Sequence, residues 1–193
     1  MSRWPDVVLP APGAPAPTLF LDRDGVVIVE KDYLRDPGQV ELFPGVTEAL
    51  RRARDAGFLL IGVSNQSGLG RGQFTLADLD AVMTRLDALL GAAGVPLDAF
   101  FYCPHAPQDG CACRKPAPGL LAEAARHLAW DPARSWVIGD KISDVDLALG
   151  VGLRACLVRT GYGSQQERRL GERTAVLVAD DLPAAVTAIL ERT

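Results

Sequence analysis

The chain has 193 residues and a formal net charge of −4, and 48% of its residues are hydrophobic. This length fits one domain of ordinary size, and this apolar content excludes a disordered chain. No Lys/Arg-rich run of the kind found on nucleic-acid surfaces is present, and no uncharged stretch reaches the roughly 20 apolar residues of a membrane helix.

Residues 1–17 carry five prolines and lack the continuous apolar core of a signal peptide, so we expect a flexible N-terminal arm and a cytoplasmic protein. Residues 18–193 are expected to form a single domain. In chain order, strands are predicted over 18–21, 58–63, 99–102, 135–138, 153–158 and 175–178. Helices are predicted over 47–56, 75–90, 118–128, 143–149 and 182–191.

Strands that alternate with helices indicate a parallel sheet with helices on both faces, which is a three-layer Rossmann-like α/β fold. In such sheets ligands bind beyond the carboxyl ends of the strands. Polar residues follow four of the predicted strands, in the order Asp22-Arg23-Asp24-Gly25, Ser64-Asn65-Gln66, Cys103-Pro104-His105 and Gly139-Asp140-Lys141. We expect these groups to meet at one rim of the sheet.

The acidic pair Asp22 and Asp24 indicates a magnesium site, because two carboxylates so close repel unless a cation joins them. Asp140 is placed to supply a third oxygen. Such a site suits covalent phosphoryl transfer, in which one carboxylate attacks phosphorus and the other moves protons, while Ser64 and Lys115 hold the phosphate oxygens. The alternative is an ordinary turn, because Asp and Gly both favour turns.

Three cysteines and a histidine form a second cluster, which consists of Cys103, His105, Cys111 and Cys113. A Cys₃His set suits tetrahedral zinc, and four protein ligands leave no open catalytic position, so the metal would be structural. The alternative is a set of buried thiols or a chance cluster. Cys156 is predicted to be an ordinary core residue. His127 is predicted to be a surface or packing residue.

The segment 20–26, together with Ser64, Lys115 and the segment 139–144, resembles the four ordered motifs of the haloacid dehalogenase superfamily over roughly residues 18 to 163. Ser64 stands where many members have threonine. The resemblance implies that Asp22 is the nucleophile and Asp24 the general acid/base. It also implies magnesium bound by Asp22, Asp140 and the backbone carbonyl of Asp24. Asp144 is either a carboxylate that supports these ligands or part of the helix surface.

Residues 103–113, which contain the four predicted zinc ligands and are called the zinc loop, and the stretch 64–68 resemble one branch of that superfamily, the D-glycero-D-manno-heptose 1,7-bisphosphate and histidinol phosphatases. This implies little or no cap domain, a small phosphorylated sugar as substrate, and removal of its 7-phosphate in nucleotide-activated heptose biosynthesis. The implied substrate contacts are Arg23, Glu30, Lys31, Asp32, Tyr33, Asn65, Gln66, Ser67, Arg114 and Lys141.

Two other functions are kept as hypotheses: a histidinol-phosphate phosphatase, and a zinc-stabilised binding module without catalysis. We expect a monomer that binds neither nucleic acid nor membranes.

Overall fold

The computed structural model describes residues 14–192 and the backbone of residues 2–4. Its strands are β1 (Ser2–Trp4), β2 (Thr18–Leu21), β3 (Leu59–Asn65), β4 (Ala99–Cys103), β5 (Trp136–Gly139), β6 (Arg154–Val158) and β7 (Val176–Ala179). Its α-helices are α1 (Val46–Asp55), α2 (Ser67–Gly70), α3 (Leu76–Ala92), α4 (Gly119–Ala124), α5 (Ile142–Gly150), α6 (Gly163–Gln166) and α7 (Leu182–Leu190). None of these helices is long and apolar enough to cross a membrane.

The strands form one sheet in the order β1-β4-β3-β2-β5-β6-β7. The six strands from β2 to β7 are parallel, as predicted, and β1 adds an antiparallel edge to β4. The sequence analysis predicted no strand within the arm 1–17, where β1 lies. The flexible-arm prediction otherwise falls mainly on residue 1 and residues 5–13, which lie outside the described residues.

Helices cover both faces of the sheet, which confirms the three-layer prediction. Alternate residues of a strand point to opposite faces, so Leu19 and Leu21 face one layer and Phe20 faces the other. The first layer contains α1, α3 and α7, and the second contains α4 and α5. Both layers are built from fully buried aliphatic and aromatic side chains.

Some predicted boundaries are wrong by a few residues, for physical reasons. Strand β3 continues through Asn65 because its pairing with Cys103 of β4 extends the ladder. Helix α4 ends at Ala124 and gives way to turns, in which the N–H of His127 donates to the carbonyl of Ala124. Helix α3 begins with a capping box, in which the Thr75 hydroxyl accepts from the N–H of Asp78 and the Asp78 carboxylate accepts from the N–H of Thr75.

The direction of the strand order changes between β2 and β5. The chain proceeds from β2 to β3 and β4 on one side of the sheet, and from β5 to β6 and β7 on the other. Crevices form at the carboxyl ends of strands at such a switch point. Asp22 follows β2 and Asp140 follows β5, so the topology brings these two carboxylates to the crevice.

Candidate active site

A polar cavity of about 320 Å³ lies at this switch point. It receives residues from the ends of β2, β3 and β5, from the loop that leads into α4, and from two further loops. Its lining consists of Asp22, Arg23, Asp24, Glu30, Asp32, Tyr33, Leu34, Ser64, Asn65, Gln66, Ser67, Gly68, Phe74, Arg114, Lys115, Lys141, Ser143 and Tyr162. Four predicted catalytic residues, Asp22, Asp24, Ser64 and Lys115, therefore share one cavity.

A buried lysine joins two carboxylates at the base of the cavity. Lys115 Nζ lies 3.1 Å from Asp22 Oδ1 and 2.6 Å from Asp144 Oδ1. Burial opposes ionisation of Asp22, but the charges of Lys115 and Lys141 outweigh it and hold the pKa of Asp22 below its usual value. Burial also opposes the charge of Lys115, but Asp144 and Asp22 outweigh it and raise the pKa of Lys115. Asp22 is thus an ionised carboxylate, as a nucleophile requires.

A third carboxylate, that of Asp140, completes a group whose oxygens lie within 4.8 Å of those of Asp22 and Asp144. Burial and the charge of Asp22 raise the pKa of Asp140 to about 7. Its Oδ1 is buried and accepts no hydrogen bond from the described residues. Gly25 allows this close approach, because a Cβ there would lie 2.3 Å from Asp140 Oδ2. We call Asp22, Lys115, Asp140 and Asp144 the catalytic floor.

The structure decides between the two alternatives for Asp144. This residue is 1% exposed, so it does not belong to the helix surface. Its Oδ2 accepts a hydrogen bond from the backbone N–H of Lys141 at 3.1 Å and caps α5. Burial raises the pKa of Asp144 despite its lysine partner. Asp144 is therefore a buried member of the floor that pairs with Lys115 and caps α5.

Asp24 lies in a hydrogen-bond network above the floor. The guanidinium of Arg23, which is 2% exposed, donates to both carboxylate oxygens of Asp24 at 2.8–3.1 Å. Gln66 Nε2 donates to Asp24 Oδ2 at 3.0 Å and to Ser64 Oγ at 2.8 Å, and Gln66 Oε1 accepts from Arg23. The network connects Asp24, the predicted general acid/base, to the Ser64 hydroxyl, which is predicted to bind phosphate. No pattern in the sequence indicates this connection.

The backbone of Lys115 is held by the end of β3. Asn65 Oδ1 accepts the N–H of Lys115 at 3.0 Å, and Asn65 Nδ2 donates to the carbonyl of Lys115 at 3.1 Å. Lys115 Nζ also donates to the carbonyl of Val63 at 2.7 Å. Asn65 is predicted to contact the substrate. In the structure its side-chain amide holds the backbone of Lys115 and thereby fixes the origin of the lysine side chain.

Most residues predicted to contact the substrate lie at the rim of the cavity, and one does not. Glu30, Asp32, Tyr33, Ser67, Arg114 and Lys141 line the cavity. Lys31 is not part of the lining, and its side chain pairs with Glu41 at 2.9 Å. Adjacent loop residues point in different directions, which the sequence pattern does not show. Substrate contact by these residues stays a prediction.

Tyr162 lines the cavity and was missed. It lies in the loop after β6, whereas the predicted site residues follow β2, β3, β4 and β5. The polar segment 159–162 directly after the apolar run of β6 was the available signal. Leu34, Gly68, Phe74 and Ser143 also line the cavity and were not predicted as contacts. Gly68 and Ser143 lie within the segments 64–68 and 139–144 that carry the family resemblance, whereas no pattern in the sequence marks Leu34 or Phe74.

The cysteine cluster is assembled beside the carboxyl end of β4. The Sγ–Sγ distances among Cys103, Cys111 and Cys113 are 3.3–3.6 Å, and His105 Nδ1 lies 3.2 Å from Cys113 Sγ. Tetrahedral bonds to zinc of about 2.0–2.3 Å would separate such ligands by roughly 3.5–3.8 Å, so the donors fit zinc. Burial raises the pKa of Cys103 to about 12, and a bound cation would favour the thiolate instead.

The remaining cysteine and histidine agree with their predictions. Cys156 is fully buried in the core. The ring of His127 stacks on that of Phe101, with ring centroids 6.3 Å apart, and lies 3.4 Å from a carboxylate oxygen of Glu123. Neither residue belongs to either cluster.

Comparison with known proteins identifies the family. Residues 19–145 match the family model described as polynucleotide kinase 3 phosphatase, and residues 112–185 match the HAD-hydrolase-like model. The D-glycero-beta-D-manno-heptose-1,7-bisphosphate 7-phosphatase of Pseudomonas aeruginosa is 39% identical over 176 residues, which cover 90% of this chain and 97% of the relative. The enzyme of the same name from Escherichia coli K12 is 38% identical over 88% of this chain and 93% of its own.

A solved structure agrees with these relatives. The D,D-heptose 1,7-bisphosphate phosphatase of B. bronchiseptica, crystallised with magnesium and phosphate, superposes with a TM-score of 0.85 and 36% identity. The match covers 92% of this chain and 99% of that one. The chain belongs to the haloacid dehalogenase superfamily and, within it, to the family of the heptose-1,7-bisphosphate phosphatases. The superfamily and branch indicated by the motifs are confirmed.

Proposed function

We propose that the protein is a magnesium-dependent phosphatase that removes the 7-phosphate of D-glycero-D-manno-heptose 1,7-bisphosphate through an aspartyl phosphate on Asp22. The observation that carries this proposal is the position of the Asp22 carboxylate, 3.1 Å from Lys115 Nζ at the base of a polar cavity, where the lysine charges lower the pKa of Asp22. The names of the relatives support the substrate, and the magnesium and phosphate in the related crystal structure support the chemistry.

The floor suits magnesium. The carboxylates of Asp22 and Asp140 converge there, and the buried Oδ1 of Asp140 accepts no hydrogen bond from the described residues, although Lys141 Nζ lies 3.4 Å from it. Oxygen donors of this kind are the ligands that Mg²⁺ prefers. Asp22, Asp140 and the backbone carbonyl of Asp24 would hold the ion. When bound, it neutralises charge on the phosphate oxygens.

The first chemical step transfers the phosphoryl group to the protein. A bond forms between a carboxylate oxygen of Asp22 and phosphorus while the bond from phosphorus to the sugar oxygen breaks. Asp24 gives its proton to that leaving oxygen. The Ser64 hydroxyl donates to a phosphate oxygen, and Lys115 offsets the charge that develops in the transition state.

The second step restores the protein. Asp24, now a carboxylate, takes a proton from water, and the water oxygen bonds to phosphorus as the bond to Asp22 breaks. Inorganic phosphate and free Asp22 result. Arg23 and Gln66, which hold the Asp24 carboxylate, fix the direction from which the proton is given and taken.

A second anion of the substrate has candidate partners at the rim. Arg114 Nη1 is buried yet hydrogen-bonded to no described residue, and Lys141 lines the same cavity. A bisphosphate would give Arg114 an anionic partner and give Lys141 a further one beside Glu30, which lies 3.5 Å from Lys141 Nζ, while its other phosphate lies on the floor. We propose that the zinc loop fixes Arg114 and Lys115, which directly follow its last ligand, Cys113.

The cytoplasmic location and the monomeric state stay predictions.

Steady-state kinetics on both anomers of heptose 1,7-bisphosphate and on histidinol phosphate tests the proposal. We expect kcat/KM for one heptose bisphosphate anomer to exceed that for histidinol phosphate by at least about a hundredfold, because histidinol phosphate has no second phosphate for Arg114 and Lys141. A higher kcat/KM for histidinol phosphate would show that the protein is a histidinol-phosphate phosphatase, the second hypothesis. An absence of turnover on all three substrates would favour a binding module.

A further inference from the structure

The loop after β6 connects the catalytic floor to the cavity rim through Tyr162. Its backbone lies against the floor: the N–H of Tyr162 donates to Asp140 Oδ2 at 2.9 Å, and the hydroxyl of Thr160 donates to the carbonyl of Gly25 at 2.6 Å. The fit is tight at Gly161, where a Cβ would lie 2.3 Å from Asp140 Oδ2. The backbone of Tyr162 is therefore held in a fixed position against the floor.

The side chain of Tyr162 extends from this position to the opposite side of the cavity. Its hydroxyl donates to Asp32 Oδ1 at 2.8 Å, across 130 residues of chain. The carboxylate of Asp32 is the main reason that the pKa of Tyr162 rises to about 12. The Tyr162 ring also faces Lys141 Nζ, which lies 4.7 Å from the ring centroid, a cation–π contact.

The loop that receives this hydrogen bond is held in an unfavourable conformation. We call residues 30–34 the rim loop. Asp32 and Tyr33 have φ angles of 42° and 52°, the left-handed region that non-glycine residues rarely adopt. Such a conformation persists only where surrounding contacts enforce it. Two contacts do so here: Tyr162 bonds the Asp32 side chain, and Glu30 Oε1 accepts the Asp32 N–H at 3.1 Å.

Glu30 joins the same arrangement. Its Oε2 accepts from Lys141 Nζ at 3.5 Å. Lys141 Nζ therefore lies between the Glu30 carboxylate, the Tyr162 ring and Asp140 Oδ1, which is 3.4 Å away, and Lys141 precedes the first turn of α5. The rim loop, Lys141 and the loop after β6 thus form one connected wall on one side of the cavity.

We propose that Tyr162 is a positioning residue that holds the rim loop and Lys141 in place and thereby sets the preference for a sugar bisphosphate over small phosphate monoesters. This inference rests on the proposed function. A small aryl phosphate needs the floor alone, whereas a sugar bisphosphate also extends to the wall. Loosening the wall should therefore weaken binding of the larger substrate selectively.

The kinetic test compares Tyr162→Phe, which removes the hydroxyl and keeps the ring, with the parent protein. For heptose 1,7-bisphosphate we expect KM to rise about three- to tenfold with kcat within about twofold, the effect of losing one hydrogen bond. The ratio of its kcat/KM to that for p-nitrophenyl phosphate should fall by a similar factor. Tyr102→Phe, which removes a hydroxyl from β4, is the matched control and should preserve the ratio.

A double-mutant cycle identifies the partner. Asp32→Gly removes the acceptor and also accepts the positive φ without strain. We expect Asp32→Gly to lower the ratio of kcat/KM for heptose 1,7-bisphosphate to that for p-nitrophenyl phosphate. In the double variant Tyr162→Phe, Asp32→Gly, this ratio should be no lower than in the more impaired single variant. Effects that multiply would show that the two residues act separately and would overturn the proposal.

Amide hydrogen exchange gives an outcome that needs no substrate. In Tyr162→Phe, peptides covering residues 29–35 should exchange faster, while peptides covering β2 and β5 should not change. Unchanged exchange in the rim loop, or faster exchange with an unchanged substrate ratio, would overturn the inference. A parent protein that does not hydrolyse heptose bisphosphate would instead refute the proposed function, and the exchange result would still decide whether Tyr162 holds the loop.

Discussion

The molecule has two clusters of potential metal ligands, and they differ in what surrounds them. The catalytic floor consists of carboxylates with a lysine between them, and two of its members, Asp22 and Lys115, line a cavity of about 320 Å³. The cysteine cluster supplies four donors that already stand at nearly tetrahedral separations. A cluster that includes its own cation and faces a cavity is suited to a reaction, whereas a cluster closed by four protein ligands is suited to holding a loop.

Removing the nucleophile should give the largest effect on the floor. Asp22→Asn keeps the size of the side chain and removes the attacking carboxylate, so we expect turnover to fall by at least about a thousandfold. Lys115 retains Asp144 as its partner, so the variant should stay folded. Phosphate release and thermal unfolding measure the two properties. Activity close to that of the parent would refute the mechanism.

Removing the lysine should damage both activity and stability, unlike the nucleophile substitution. Lys115→Met keeps the apolar stem and leaves Asp22 and Asp144 without their cation, which typically costs about 3–5 kcal/mol for a buried pair. Urea unfolding measures this loss. Adding Asp144→Asn removes one of the two unpaired charges and should recover at least about 1 kcal/mol. A double variant no more stable than Lys115→Met would show that the pair does not carry the effect.

The cysteine cluster should respond as a structural site. Cys113→Ser should abolish stoichiometric zinc binding and destabilise the protein by at least about 2 kcal/mol, or about 4–8 °C in Tm. Cys156→Ser is the matched control, since it changes a thiol outside the cluster and should retain one zinc per chain. Elemental analysis and calorimetry provide the measurements. Parent protein that is folded but free of zinc would contradict this account.

The apparent affinity of the floor for Mg²⁺ should depend on pH, and this effect should be smaller than those of the substitutions above. The pKa of Asp140 is raised to about 7 by burial and by the charge of Asp22, so the proton competes with the ion. Below about pH 7 the proton must leave before magnesium binds, and apparent Mg²⁺ affinity should fall by up to about tenfold per pH unit. Above about pH 8 it should be constant. Magnesium titrations of activity at several pH values test this, and an affinity independent of pH would contradict it.

The sequence predicted the floor well because its parts are local. The pair Asp22 and Asp24 directly follows a strand, and the parallel topology brings Asp140 to the same edge. The two metal clusters were identified from residue types and spacing alone. The role of Asp144 stayed open, because its burial depends on how closely α5 packs against the loop that carries Lys115.

The rim was predicted less well because it depends on contacts between distant loops. Lys31 was assigned to the cavity, but its partner is Glu41. Tyr162 was missed, although its hydroxyl contacts Asp32. No local pattern specifies such pairs, since each depends on the final direction of two side chains, 10 residues apart for Lys31 and Glu41 and 130 residues apart for Asp32 and Tyr162.

The most direct test of the central claim is to trap the phosphorylated protein. Acid quenching during turnover should preserve a phosphoryl group, and mass spectrometry should locate it on the peptide that contains Asp22. The label should be sensitive to hydroxylamine, as an acyl phosphate is, and absent from Asp22→Asn. Phosphate on another residue, or turnover with no trapped label and an active Asp22→Asn variant, would contradict the account.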